Sequence, residues 1–144
     1  QTGAVTTLVN SAAEAGCVDG EGLKVARLRE PESIAVDPNP SRNRLVIADW
    51  GNHVIRALSL SPPYTVSTIA GTCGAGQGYV DGAPALAKFF QPSSVAFNPS
   101  GSALVIAEWG NNRLRALAKC DNSPCTSLGH FRGPCAAPEF GDCV

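Results

Sequence analysis

ADWGNHVIRAL, from Ala48 to Leu58, returns as AEWGNNRLRAL from Ala107 to Leu117, with seven identities in eleven at an offset of 59. Upstream, SIAVDP (Ser33 to Pro38) returns as SVAFNP (Ser94 to Pro99) at an offset of 61, and VDG (Val18 to Gly20) returns at Val80 to Gly82 at an offset of 62. TTLVN, Thr6 to Asn10, likewise matches STIAG, Ser67 to Gly71. A fixed period of this kind restricts a chain to stacked copies of one supersecondary unit. Here the unit is about 60 residues and occurs twice.

Within each unit the apolar residues fall in runs of four to six, rich in Val, Ile and Leu and separated by Pro, Gly, Asn and Ser. That is the pattern of short strands joined by turns. The first unit reads as strands at Ser33 to Asp37, Arg44 to Ala48, His53 to Ser59 and Thr65 to Ala70, with a Gly-Asn turn after the second. Helical spacing is confined to Gly22 to Arg29 and Ala83 to Phe90, each stopped by a following proline. The fold class is all-β, and four antiparallel strands per repeat make a β-propeller blade.

The residues that carry this pattern resemble NHL repeats, in which a proline and a small residue lead into I-A-V-D, then a V-x-V-A-D strand, then G-N-H-R-I-R. Pro31, Ile34 to Asp37, Leu45 to Asp49 and Gly51 to Arg56 match in the first copy. Pro92, Val95 to Asn98, Leu104 to Glu108 and Gly110 to Arg115 match in the second. The resemblance covers residues 5 to about 119. It implies a propeller, usually of six blades, used mainly as a binding platform and only occasionally as an enzyme. The chain divides accordingly into two NHL-like blades over 1–119, about 5–65 and 66–119 with the first strand offset, and a Cys-rich tail over 120–144. It departs from the family in its long connections, about 22 residues from Asn10 to Pro31 and again from Gly71 to Pro92. Connections of that length are usually functional or stapled, and each contains one cysteine.

The six cysteines are Cys17, Cys73, Cys120, Cys125, Cys135 and Cys143. Their number suits an oxidising compartment, and the chain reads as secreted or surface-exposed. A zinc site of three cysteines with His130 is the competing reading, but no C-x-x-C pair occurs and the gaps are irregular. Local bridges in the tail, Cys120 with Cys125 and Cys135 with Cys143, leave Cys17 and Cys73 to tie the long loops. The chain opens at Gln1 and has no methionine, which points to a processed or excerpted polypeptide.

Charge excludes one class of partner and apolar run length another. The first 72 residues carry six Lys and Arg against seven acids, and the second 72 carry five against five, so neither half offers phosphates a basic face. The longest apolar runs, such as Leu45 to Ala48, fall far short of the roughly 20 residues a spanning helix needs. Neither nucleic-acid binding nor a membrane span is expected.

No catalytic constellation stands out, and no cofactor or metal is implied. There are only two histidines, and His53 falls at the family's own turn position. Asp49 and Glu108 end equivalent strands, where an acid accepts hydrogen bonds from the following turn. Asn52, Asn111, Arg56 and Arg115 recur with them as turn-supporting residues. The glycine-rich GTCGAGQG stretch, Gly71 to Gly78, lacks the Lys-Ser/Thr ending of a phosphate loop. Trp50 and Trp109 occupy the same turn in both units and are candidates for packing under a loop, for a subunit interface, or for stacking on a sugar. No Asn-x-Ser/Thr sequon exists, and Ser61, beside Pro62 and Pro63, is the candidate O-glycan site.

Strand counting shapes the functional expectation. Val5, Thr6, Thr7, Leu8 and Val9 read as an outermost strand whose own blade is missing, while the second blade ends after its third strand at Leu117. Two blades cannot close a ring, since propellers use about four to eight. The expected function is a non-enzymatic extracellular structural or interaction module, whose partners are other copies of itself or further blades joined head to tail. Asn112 to Leu117 of one copy would pair with Val5 to Val9 of the next, forming a ring or an extracellular filament. A lectin-like propeller using Trp50 and Trp109 on glycans is the alternative.

Overall fold

The computed structural model describes residues 3–10 and 12–118. Eight strands form two antiparallel sheets: β1 (Gly20–Glu21), β2 (Pro31–Val36), β3 (Arg44–Asp49), β4 (Val54–Ser59), β5 (Thr65–Ala70), β6 (Pro92–Phe97), β7 (Ala103–Glu108) and β8 (Arg113–Ala118). The first sheet has the order β1-β5-β4-β3-β2 and the second β6-β7-β8. Pro31 and Pro92 stand at the first position of edge strands, where the missing N–H costs no ladder bond. Both sheets carry the same register shift one residue later, at Pro31/Ser33 and Pro92/Ser94.

Alternation along the strands gives each sheet two unlike faces, because residues directly opposite in an antiparallel ladder share a face. We term one the forward face: in the first sheet it carries Ser33, Ala35, Val46, Ala48, Ile55 and Ala57. The other, the rear face, carries Ile34, Val36, Leu45, Ile47, Arg56 and Leu58. In the second sheet the rear face carries Val95, Phe97, Leu104, Ile106 and Leu117. The main core forms where the forward face of the first sheet meets the rear face of the second, and Ala87 and Phe89 of the long loop close it. Small residues on one side and large ones on the other let β2 and β6 approach closely, so that the Val95 N–H donates to Ser33 Oγ at 3.4 Å. A smaller cluster of Ala26, Ile47, Leu58 and Val66 lies on the rear face of the first sheet, with Leu8 and Val9 packed against it.

Three expectations change. Val5 to Val9 is not a strand: residues 3–8 carry no regular structure, Val5 is fully exposed, and the outer edge of β5 is taken by β1. A lone extended segment has no ladder to bind it, so only its apolar end, Leu8 and Val9, is held by burial, with the Asn10 N–H donating to the Gly22 carbonyl at 2.8 Å. The strand expected from His53 begins at Val54, because His53 takes a left-handed conformation with φ of 60° that closes the preceding turn. The strand expected over Ser33 to Asp37 instead spans Pro31–Val36, since the Asp37 side chain is drawn into a turn beyond it. The segments suspected of helical turns, by contrast, do each make one: Val25 and Ala26 donate to Glu21, and Leu86 and Ala87 donate to Ala83. Residues 120–144, with Cys120, Cys125, Cys135 and Cys143, lie outside the described residues.

Candidate functional site

The polar residues that recur in the sequence assemble into two equivalent clamps. Asp49, the last residue of β3, is fully buried. Its Oδ1 accepts from the Arg29 N–H at 2.8 Å, and its Oδ2 accepts from Asn52 Nδ2 and Arg56 Nη1, each at 2.8 Å. The planar guanidinium offers donors in a fixed fork, and Arg56 uses it to reach the long loop. Nη1 donates to the Arg27 carbonyl at 3.1 Å, while Nη2 donates to the Val18 carbonyl at 2.9 Å and to Asp19 Oδ1 at 2.7 Å. Asn52 completes the clamp by donating to the Gly16 carbonyl at 2.7 Å. Burial pushes the Asp49 carboxyl above its ordinary range, against the opposing pull of Asn52, the Arg29 N–H and Arg56.

The second clamp repeats the first with Glu in place of Asp. Glu108 accepts from the Phe90 N–H at 2.9 Å, from Arg115 Nη1 at 2.8 Å and from Asn111. Arg115 donates onward to the carbonyls of Lys88 at 2.7 Å and Val80 at 2.6 Å and to Asp81 at 2.9 Å, and Asn111 donates to the Gly78 carbonyl at 2.9 Å. The glycine of each Trp-Gly-Asn turn is required by the close approach of the same loop. A Cβ on Gly51 would lie 2.9 Å from the Arg29 carbonyl oxygen, and one on Gly110 would lie 2.5 Å from the Phe90 ring.

Beside the first clamp, Cys17 and Cys73 form a disulfide that joins the two long loops across a sequence separation of 56. Arg56 Nη1 lies 3.6 Å from Cys17 Sγ, and Asp19 holds Thr68 through the N–H at 3.0 Å and Oγ1 at 3.1 Å. An open cleft of about 470 Å³ runs along this seam, lined by Cys17, Asp19, Thr68, Cys73, Pro84 and Ala85. Its carboxylate is already bonded to Arg56 and Thr68, so the cleft offers little unengaged polarity.

The remaining sequence candidates are dispersed. His53 accepts the Gln91 N–H at Nδ1 over 3.2 Å and meets Phe90 edge-on at 5.5 Å, linking the turn of the first sheet to the start of the second. Trp50 is half-buried, whereas Trp109 is 69% exposed. Ser61 is exposed in the β4–β5 turn and accepts from Asn43 Nδ2 at 2.9 Å. Sequence reading missed Asp19 and Asp81 as clamp partners, although their recurrence in the two VDG motifs was the available signal. It also missed Tyr79, under the Arg113 guanidinium at 3.9 Å, and the buried Asp37, which accepts from Arg44 at 2.9 Å and Arg42 at 3.3 Å. Among the described residues, no group of three or more His, Cys, Asp or Glu side chains is placed to hold a metal ion, and no helix is long and apolar enough to cross a membrane.

No protein-family model matches the chain, and no curated protein matches it. It is similar to the solved structure of an auxiliary nutrient binding protein from Bacteroides thetaiotaomicron VPI-5482, at 29% identity and a TM-score of 0.61 over 72% of this chain and 26% of that one. An auxiliary nutrient binding protein from Bacteroides ovatus ATCC 8483 matches at 28% identity and a TM-score of 0.60, again over 72% of this chain and 26% of that one. A Bacteroides thetaiotaomicron VPI-5482 protein of unknown function shares the fold, at 24% identity and a TM-score of 0.65 over 76% of this chain and 26% of that one. The chain therefore spans about a quarter of the length of these proteins.

Proposed function

We propose that this chain is a non-enzymatic extracellular structural and interaction module, two NHL-like propeller blades that join further blades or further copies of the chain head to tail. The observation that carries the reading is the unequal strand count. The first sheet has four long strands and a short fifth, whereas the second has three, and the outer edge of β8 has no partner among the described residues. Unpaired edges template the pairing of another chain. Residues 5–9, the sequence equivalent of β5, are the matching donor. Such a contact is heterologous and makes a closed ring or an open fibre according to its rotation; three copies would make six blades.

Three further features support this reading. The recurring polar side chains hold loops in place, which suits a scaffold better than a reaction centre. The similar nutrient-binding proteins are about four times as long as the matched segment, room for several more such sheets, and their description supports a binding role. The disulfide suits an extracellular setting. Light scattering on the native particle tests the proposal: a mass of several chains is expected, and deleting Gln1 to Asn10 should abolish it. A folded, monodisperse particle at monomer mass at all concentrations would overturn it.

The exposure of Trp109 favours a second reading, a glycan-binding propeller. Glycan-array binding that disappears in a Trp50→Ala, Trp109→Ala double variant would establish it.

A further inference from the structure

The forward face of the second sheet carries Ser94, Ala96, Val105, Ala107, Leu114 and Ala116. Aligned by the repeat, five of these six are identical to the forward-face residues of the first sheet, and Leu114 stands for Ile55. The two faces are thus chemically the same surface in opposite circumstances. Val46 and Ile55 are both 0% exposed beneath the second sheet, while Val105 is 37% and Leu114 75% exposed. The rear faces show the converse: Val95 is 5% exposed, and its equivalent Ile34 is 62% exposed. One chain therefore buries one forward face against one rear face and leaves bare the second forward face and the β2 part of the first rear face, Ile34 and Val36, whereas Ile47 and Leu58 of that rear face are covered by Ala26 of the long loop and by Leu8 and Val9. The second forward face carries no charged side chain, and the one guanidinium among the paired rear-face positions of β2–β4, Arg56 opposite Ile47, is buried in its clamp.

We infer that the bare forward face of β6–β8 docks on the rear side of the first sheet of a second copy, at the exposed β2 residues Ile34 and Val36 and the segments that cover β3 and β4, repeating the contact that already joins the two sheets within the chain. This rests on the assembly reading above and names its surface. The intramolecular contact fixes the pairing. Leu114 meets the second copy as Ile55 meets the second sheet, and Ser94 Oγ accepts the N–H of the second copy's Ile34 as Ser33 Oγ accepts that of Val95. A separate observation leads to the same arrangement. Leu8 and Val9 pack on the rear-face cluster of the first sheet, while their repeat equivalents Ile69 and Ala70 pack on the core beside the rear face of the second.

The N-terminal segment accordingly sits where the β5 of a preceding sheet would sit. Docking the forward face brings β8 alongside that segment, and the β4–β5 register then dictates four pairs. Ile55 with Ala70, Arg56 with Thr68, Ala57 with Ser67 and Leu58 with Val66 become Leu114 with Val9, Arg115 with Thr7, Ala116 with Thr6 and Leu117 with Val5. Face and edge are satisfied by one placement, and residues 5–9 become a strand only in the assembly. Residues 119–144 are the poorer occupant of the face, since they supply only four large apolar residues, Leu128, Phe131, Phe140 and Val144.

The test uses the full-length chain with Leu114→Glu, which spoils the forward face, and Ile34→Glu, which spoils the rear face. Both positions are solvent-exposed in the single chain, so circular dichroism should show both variants folded; Val105→Lys and Val36→Lys serve as replacements if either fails. Each variant should remain a monomer at concentrations at least about 100-fold above those at which the parent assembles, because docking would bury an unpaired charge. Mixed together, the two variants should form a one-to-one dimer and nothing larger, since each retains the face the other has lost. Parent-like assembly by both single variants would overturn the face contact while leaving the edge reading intact, provided deletion of Gln1 to Asn10 still disrupts assembly. A parent that is monomeric overturns both. Crosslinks from a diazirine leucine at position 114 should map to the rear face of another copy, and crosslinks to residues 119–144 of the same chain would overturn the second copy as occupant.

Discussion

Ile55 lies wholly buried between the two sheets, while Leu114, which occupies the same position of the repeat 59 residues later, is 75% exposed. Equal chemistry at the two positions therefore has unequal energetic weight. In the isolated chain at high dilution, Ile55→Ala should lower the unfolding free energy by about 2–5 kcal/mol. Leu114→Ala should change it by less than about 0.5 kcal/mol. Urea denaturation checks the contrast, and equal losses would mean that the second forward face is covered within the chain.

Removing one partner of the Asp49–Arg56 pair leaves a buried charge short of its buried counter-charge: Arg56 keeps the more exposed Asp19, and Asp49 keeps the Arg29 N–H and Asn52. Asp49→Ala is expected to cost about 3–5 kcal/mol, and Arg56→Leu a comparable amount. The double variant should lose clearly less than the sum, because neither charge then remains. Additive losses in a double-mutant cycle would show that the two groups act independently, despite their 2.8 Å contact.

The Cys17–Cys73 bridge closes a loop of 56 residues, for which chain entropy gives a contribution of about 4 kcal/mol. A Cys17→Ser, Cys73→Ser double variant should be destabilised by roughly that amount. Alkylation of the unreduced, denatured parent followed by peptide mapping should label neither residue; labelling of either would show that the bridge is not formed.

Asp37 predicts a pH dependence. Burial pushes its carboxyl upward, but hydrogen bonds from the Asn39 N–H, Arg44 and Arg42 outweigh that, so the net position is below the ordinary 3.8. A carboxyl depressed by folding contributes stability above its unfolded value and loses it as pH falls through the folded one. Asp37→Asn should therefore reduce stability near neutrality and flatten the acid limb below about pH 4. An unchanged acid limb in thermal melts would exclude this residue from the acid response.

Much of the fold was legible in the order of residues. Alternating Val, Ile and Leu runs bounded by Pro, Gly and Asn placed the four long strands of the first sheet and β8 to within about two residues, since a half-buried strand must repeat every second position. The repeated Asp/Glu, Gly-Asn and Arg positions marked the clamps, because a short acid beside a tight turn nearly always bonds to it.

Other features depended on contacts between distant parts of the chain. Val5 to Val9 has the composition of a strand, but a strand exists only where a neighbour supplies its hydrogen bonds, and within the described residues none does. The reach of Arg56 to Asp19 spans 37 residues, and the union of Cys17 with Cys73 spans 56; local spacing cannot encode either, and only the packing of the loops on the sheets decides them. Tertiary structure alone could likewise reveal that Val46 and Val105, identical in the repeat, are respectively core and surface. The sequence determined that each sheet has a forward and a rear face, whereas which faces are covered follows from the number of sheets stacked.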